Sequence, residues 1–248
     1  MNIMKILLAA LVTTIAVSSC QKEISPESPS SPVTSKIKTY TEDVTSAGSH
    51  STITFNVNYD GSDRLISMVS ASSPGDKFLY QYSSGNFTID LYNSSSISIH
   101  EIFFVNNNSF IDSTFQYNDT NDSMTEKYIY NSAKQLVTIK QYDYSKTSGS
   151  VLSNVENYTY DTDGNAIKVA DDYTVITYEY YPSLLNNLGA FTPYLPGNKK
   201  LVKTTSVNDG SGVTTVNHTY TFDANNRITS EKDVADNGDI FIKTYTYY

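Results

Sequence analysis

Few residues in this chain have the type and spacing to do chemistry. The three histidines, His50, His100 and His218, lie far apart. There is no His-x-x-x-His pair and no local His/carboxylate cluster at ligand spacing, so no metal site is expected. Gly210-Ser211-Gly212 lacks the frame of a nucleophile elbow and reads as a turn. Asp161-Thr162-Asp163-Gly164-Asn165 shares its start with a calcium loop. It lacks the glycine at the sixth loop position and places Asp172 where a bidentate Glu is required. Pro196-Gly197-Asn198-Lys199 lacks the upstream glycine of a phosphate loop. Acids such as Asp171-Asp172 define no separation for a general acid and base. No cofactor and no catalytic residue is expected. What remains is a single thiol, Cys20, the only Cys in the chain. One Cys excludes a disulfide scaffold, a thiolate zinc cluster and an iron–sulfur site within one chain.

The surroundings of Cys20 give that thiol a role. Lys5 precedes Ile6 to Val17, an apolar run of twelve residues. A membrane-spanning helix needs about 20 residues, so this run is too short. It reads as the apolar part of a targeting signal. Val17-Ser18-Ser19-Cys20 resembles the bacterial lipobox: an aliphatic residue, two small residues, then a cysteine that receives diacylglycerol before cleavage. Residues 1–19 are therefore expected to be a lipoprotein signal peptide and Cys20 the lipid attachment site. Two or three acyl chains give stable anchoring where one is marginal. Gln21-Lys22-Glu23 resembles the short Lys-plus-acid signal that sends many Bacteroidetes lipoproteins to the outer face of the outer membrane. The expected location is the outer membrane, lipid-anchored at the cell surface, with the periplasmic face as the alternative.

Composition sets further limits. The 248 residues carry 17 Lys+Arg and 26 Asp+Glu, a net charge of −9 that becomes −10 once Lys5 leaves with the signal. Nucleic acid is excluded as a partner, because phosphate binding needs a basic face. Residues 20–36 hold the candidate anchor and, over 24–36, a Pro/Ser-rich stretch with no apolar period. This is a tether of roughly 40 Å if extended at about 3.1 Å per residue.

From Ile37 the period changes to two. Ile53, Phe55, Val57 and Tyr59 alternate with Thr54, Asn56 and Asn58, the pattern of a half-buried antiparallel strand. A phrase then recurs: an aromatic closes one strand, a polar turn follows, and an aliphatic residue opens the next. It stands at Tyr59-DGSDR-Leu65, Tyr130-NSAKQ-Leu136, Tyr160-DTDGN-Ala166 and Phe222-DANNR-Ile228. Tyr82-SSGN-Phe87 and Val105-NNNS-Phe110 read as copies one residue shorter. Gly, Asn and Asp tolerate positive φ and bond their own backbone, so they close hairpins. Further connections are expected at 151–155, 208–212 and 236–239.

These copies resemble YD-type repeats, the Tyr-Asp hairpins of bacterial surface proteins. Tyr59-Asp60 and Tyr160-Asp161 carry the pair as written, while Tyr130-Asn131 and Phe222-Asp223 depart from it. Together with the lipobox and tether, the chain resembles a Bacteroidetes outer-membrane lipoprotein family of unknown function with a porin-like fold. That resemblance implies a barrel and supplies no activity. Asp112-Ser113-Thr114 and Asp122-Ser123-Met124 resemble the O-glycosylation sequon of exported Bacteroidetes proteins, which makes Ser113 and Ser123 candidate acceptors.

Tyrosines also pair two apart, and so share a sheet face, at 80/82, 128/130, 142/144, 158/160, 178/180 and 245/247, with Tyr220/Phe222 as a seventh pair. On successive strands they would form an aromatic ladder, read either as core or as a stacking platform for sugars or peptides. The expected fold for residues 37–248 is all-β: an antiparallel meander of about 12–16 strands, strongly curved or closed into a barrel-like sheet, because so many strands laid flat would twist and expose edges. A membrane-spanning barrel also alternates, but the apolar faces here carry Lys and Tyr rather than a clean aliphatic band. One segment, 182–200, breaks the pattern. Leu184, Leu185 and Leu188 suit one face of a short helix, and Pro193 and Pro196 exclude regular strand. This short helical or irregular insert is expected to cap the sheet, and Leu184, Leu188, Phe191 and Tyr194 form a candidate ligand region.

Two functions follow as expectations. The first is a non-catalytic surface binding or scaffold protein for a glycan, a peptide or a membrane-protein partner. The alternative is an exported hydrolase whose carboxylates come from distant strands.

Overall fold

The computed structural model describes residues 36–117, 123–145, 149–188, 194–195 and 197–248. Cys20, the tether and Phe191 lie outside the described residues. Sixteen strands follow in order: β1 Ile37–Ser46, β2 Ser49–Tyr59, β3 Leu65–Ser70, β4 Lys77–Ser83, β5 Asn86–Asn93, β6 Ser96–Val105, β7 Ile111–Tyr117 and β8 Ser123–Tyr130. The second half is β9 Leu136–Ser145, β10 Gly149–Tyr160, β11 Ala166–Ala170, β12 Val175–Leu185, β13 Lys200–Asn208, β14 Val213–Phe222, β15 Ile228–Ala235 and β16 Ile240–Tyr247. Each strand pairs antiparallel with its chain neighbour, and β1 pairs with β16 to close the barrel. Closure leaves no edge strand, which is how so long a meander avoids exposing a pairing template.

The recurring phrase is a turn with a bulge built in. After the even-numbered strands, five turns close alike. The first turn residue donates its N–H to the carbonyl of the fifth (Asp60→Arg64, Asn106→Phe110, Asn131→Gln135, Asp161→Asn165, Asp223→Arg227). The same Asp or Asn accepts the N–H of the fifth residue through Oδ1. Asn serves as well as Asp here because this bond needs only Oδ1; the other side-chain atom follows the fifth residue, Asn131 Nδ2 donating to Gln135 Oε1 and Asp223 Oδ2 accepting from Arg227 Nε. The fourth residue takes positive φ in every copy: Asp63, Ser109, Lys134, Gly164 and Asn226. Beyond each turn the register slips by one, so that Tyr59 faces Leu65, Tyr130 faces Leu136 and Phe222 faces Ile228. The copy at Val105 is full length, since its partner is Ile111 and not Phe110. Residues 151–155 form no connection; they lie inside β10, which bulges between Leu152 and Asn154.

The sheet's two faces divide by chemistry. Inward residues include Tyr40, Phe55, Val57, Met68, Phe78, Tyr80, Phe87, Phe103 and Tyr245, all buried. The alternate, outward positions carry Thr, Ser and Asn, with cross-strand bonds Thr39–Thr246, Thr41–Thr54, Asn58–Ser67 and Thr221–Thr229. Aromatics on the outside gather on β6–β9, where Phe104, Phe115, Tyr117 and Tyr144 are exposed. Six of the seven aromatic pairs point inward; Tyr142/Tyr144 points outward, with Lys127 over the Tyr142 ring. Nor do the pairs sit on successive strands. All six inward pairs lie on even-numbered strands, and their hydroxyls reach sideways. Tyr82, Tyr130, Tyr160, Tyr180 and Tyr247 each donate to the carbonyl of the residue that opens the preceding strand. The Tyr hydroxyl thereby satisfies a carbonyl at the bulge, and the ring fills the lumen.

A barrel of 16 strands is wider than ordinary side chains can fill. Between β12 and β13, the described residues 186–188, 194–195 and 197–199 lie at the rim formed by the even-strand turns, where β1 starts and β16 ends. β12 runs on through Pro182 to Leu185, so the expected helix over 184–188 is not formed, and no helix occurs among the described residues. The two prolines that bar a ladder, Pro193 and Pro196, fall outside the described residues. Leu188 packs in the core with Leu65, Ile228 and Leu201, and Leu195 packs with Phe87, Phe103 and Ile111. Backbone and side-chain bonds tie the insert around the rim: Asn187 Nδ2 to the Asn226 carbonyl, Ile111 N–H to the Tyr194 carbonyl, and Ala166 N–H to Asn198 Oδ1.

Asn165, fully buried, anchors the far end of that insert. Its Nδ2 donates to Asp161, and its Oδ1 accepts the N–H groups of both Lys199 and Lys200. Asn165→Ala strips the acceptor from two backbone donors and is expected to cost about 1–3 kcal/mol in urea unfolding. A change under about 0.5 kcal/mol would show that the insert does not depend on this clamp.

Candidate functional site

Beyond the insert, the lumen holds a cavity of about 470 Å³. Its wall runs from Leu195 at the plugged rim to Asp171 and Thr174 beside the β11–β12 turn at the opposite rim. Apolar residues line it on β4–β6, with Phe78, Ile89, Leu91, Ile99 and Phe103, and on β12, with Ile176. Among them stand three acids: Glu101 on β6, flanked by Ile99 and Phe103, Glu126 on β8 and Glu156 on β10. Strand parity puts them there. Glu126 and Glu156 each stand two residues before an inward tyrosine, Tyr128 and Tyr158, and those hydroxyls donate back to them at 2.6 and 3.0 Å. Thr114, fully buried on β7, donates toward Glu126 at 3.5 Å and also bonds Glu101. Burial, and then the nearby Glu126, push the Glu101 carboxyl up to about 8. Burial likewise raises Glu126 and Glu156, against the hydrogen bonds that favour their ionised forms.

The other half of the lumen treats buried acids differently. Directly opposed positions on β14, β15, β16 and β1 place His218 against Asp233, Glu231 against Lys243, and Lys243 against Glu42. Lys243 Nζ lies 3.2 Å from both Glu231 and Asp233, and His218 Nδ1 lies 2.7 Å from Asp233. Burial would raise Glu231, but the Lys243 ammonium and His218 outweigh it and hold the carboxyl down at about 2. Burial opposes charge on His218, and the Asp233 and Glu231 bonds reverse this, raising it to about 9. His218, Glu231 and Asp233 offer ligand atoms within 4.8 Å of one another, a metal-like grouping that the sequence does not reveal locally. The ammonium of Lys243 already bridges the two carboxylates, so this is a compensated ion network rather than an open metal site.

The expected ligand region is divided. Leu188 is buried in the core, Leu184 packs against it, and Tyr194 leans on Phe87 with ring centres 5.6 Å apart. Its neighbour Leu195, not these residues, borders the cavity. Ser113 pairs with Phe104 and Lys127, and Ser123 with Tyr117 and Tyr144. Both serines therefore sit on the outer wall among its exposed aromatics. The acids were missed because each is far from the others in sequence. The signal that would have found them is the tyrosine pairing itself, extended by two residues: Glu126 before 128/130, Glu156 before 158/160, His218 before 220/222 and Lys243 before 245/247.

No described protein family and no curated protein matches the sequence. Solved structures do match the fold. One is the crystal structure of a porin-like protein from Bacteroides uniformis, with a TM-score of 0.62 and 12% identity over 86% of this chain and 96% of that one. Another is a porin-like protein from Bacteroides vulgatus, with a TM-score of 0.60 and 11% identity over 86% of this chain and 99% of that one.

Proposed function

We propose that this chain is a lipid-anchored cell-envelope protein whose barrel is a non-catalytic binding module, with the lumen as its binding site. The observation that carries the reading is the cavity of about 470 Å³, which falls within the size range of small-ligand sites and combines apolar walls with a few polar groups. The resemblance to Bacteroides porin-like structures supports the barrel and an outer-membrane setting. The Thr- and Asn-rich outer wall supports a barrel that stands in water, since a spanning barrel needs an outward apolar band. The hydroxyls of Tyr128 and Tyr158 already engage Glu126 and Glu156, which favours binding over the free carboxyl pair of a hydrolase. The ligand is a small molecule, a glycan fragment or a peptide end; O-glycans at Ser113 and Ser123 would cover exposed rings on the outer wall.

Thermal unfolding of residues 37–248 with glycan, peptide and small apolar panels tests this. At least one class should raise Tm in the parent and not in Ile99→Trp, which fills the cavity. No shift with any class would overturn the lumen as a binding site.

Anchoring is tested separately. Cys20→Ala should move the protein from the membrane to the soluble fraction, where it stays monomeric without detergent. Retention in the outer membrane, or a need for detergent, would count against the tethered, water-standing barrel. Protease shaving of intact cells distinguishes the cell surface from the periplasmic face.

A further inference from the structure

We infer that the lumen cavity takes an organic amine: an ammonium group attached to an aromatic or aliphatic body. The inference rests on the reading of the lumen as a binding site and names its ligand class.

The argument is a contrast within one barrel. Where Glu42, Glu231 and Asp233 face inward, the fold supplies Lys243 and His218 on directly opposed strands. Where Glu101, Glu126 and Glu156 face inward, the opposed positions carry the uncharged Gln116, Gln141, Thr114 and Ile139, and the carboxyls bond hydroxyls of Thr114, Tyr128 and Tyr158. Among the described residues, no Lys, Arg or His lines the cavity. His100 sits on β6 next to Glu101 but points outward, bonded to Asp90. Each carboxyl keeps lone pairs that one hydroxyl does not use. The space beside them is the cavity, so the counter-charge the chain omits is the one a ligand can bring. Ile99 and Phe103, which flank Glu101 on β6, and Phe78 suit the apolar body of such a ligand, and rings near the acids favour a cation over an anion.

The chemistry balances as a proton exchange. In the empty lumen Glu101 holds its proton through neutral pH, because burial and Glu126 disfavour its charge. An entering ammonium pairs with the carboxylate, and the carboxyl proton leaves to solvent. The titratable groups facing this event are Tyr80 of β4, Glu126 and Tyr128 of β8, Glu156 and Tyr158 of β10, Tyr178 of β12, and Asp171. Burial pushes the tyrosines above their ordinary range, so they keep their protons through this exchange.

Isothermal titration of residues 37–248 with three probes of one shape decides it: phenethylamine, 2-phenylethanol and 3-phenylpropionate. The amine should bind at least about tenfold more tightly than the alcohol, a difference of about 1.4 kcal/mol, and the anion should not bind. Its heat should vary with the buffer's ionisation enthalpy, reporting proton release. Its affinity should rise as pH increases toward about 8, where Glu101 titrates. Glu101→Gln should remove the amine's advantage and the pH dependence. The fold of this variant is checked by its unfolding curve, which should be unchanged or shifted to higher stability, since a neutral amide replaces a buried acid. Equal binding of amine and alcohol would overturn the amine assignment and leave the lumen as a site. Binding of none would also overturn it, and the ligand panels with Ile99→Trp then judge the site itself.

Discussion

Lys243→Met should destabilise the barrel by about 3–5 kcal/mol, the usual result of removing one partner from a buried ion pair. The methionine fills the same space, so the loss isolates charge. Without the ammonium, Glu231 and Asp233 keep His218 as their only cation within bonding distance, and Glu42 loses its opposed partner. Urea unfolding measures the effect. Adding Glu231→Gln should recover part of it, because His218 and Asp233 then balance. A loss below about 1 kcal/mol would mean that the network contributes no more than a surface pair.

The same network sets a pH window. His218 holds its proton more tightly folded than unfolded, so its contribution is complete below its ordinary 6.5 and disappears as pH rises through about 9. Glu231 works in the opposite sense: its contribution is complete above 4.5 and disappears as pH falls through about 2. The two overlap fully between these ordinary values. Glu101 subtracts from stability as pH rises from 4.5 toward about 8, since the unfolded chain ionises it freely.

Phe87→Ala should cost about 3–5 kcal/mol, as large aromatic truncations in closed cores do. Phe87 is fully buried, stacked on Phe103 at 4.5 Å and 7°, and touched by Tyr82 and Tyr194 at 5.8 and 5.6 Å. It is where the insert meets the wall. The variant should therefore also expose the insert to protease in limited digestion, before the strands are cut. Phe104→Ala, on the next position of β6 after Phe103 and facing out, serves as the control and should stay within about 0.5 kcal/mol. If the two variants behave alike, the division of the sheet into a packed lumen and a solvated wall is wrong.

How much of this was legible differs by level. The period of two and the six-residue turn spacing identify strands, and the cost of exposed edges implies closure. Both are local or counting arguments, and the barrel of 16 strands follows them. Tyr142/Tyr144 shows where they stop: its spacing matches the other pairs, yet the β9 register turns it outward. Val105 misled for a related reason. Phe110 looks like the opening residue, but the bulge makes Ile111 the partner, and a bulge is settled by hydrogen bonds across strands. Leu184, Leu185 and Leu188 fit a helical face, but pairing of Leu185 with Lys200 extends β12 instead. The acids of the lumen were within reach, since parity with the inward tyrosines assigns Glu126, Glu156 and Lys243 to the same face. What parity cannot give is which of them meet. That depends on closure between β1 and β16 and on the accumulated register of every bulge between.

The placement of the insert fixes a direction. β1 begins at the rim that Leu188 and Leu195 close, so the tether leaves the barrel from its stoppered end. A chain held by lipid at Cys20 would stand with the stopper toward the bilayer and the Asp171–Thr174 end toward the solution. On the proposed reading, the lumen of such a molecule would face away from the bilayer, and its ligand would meet whatever approaches from that side.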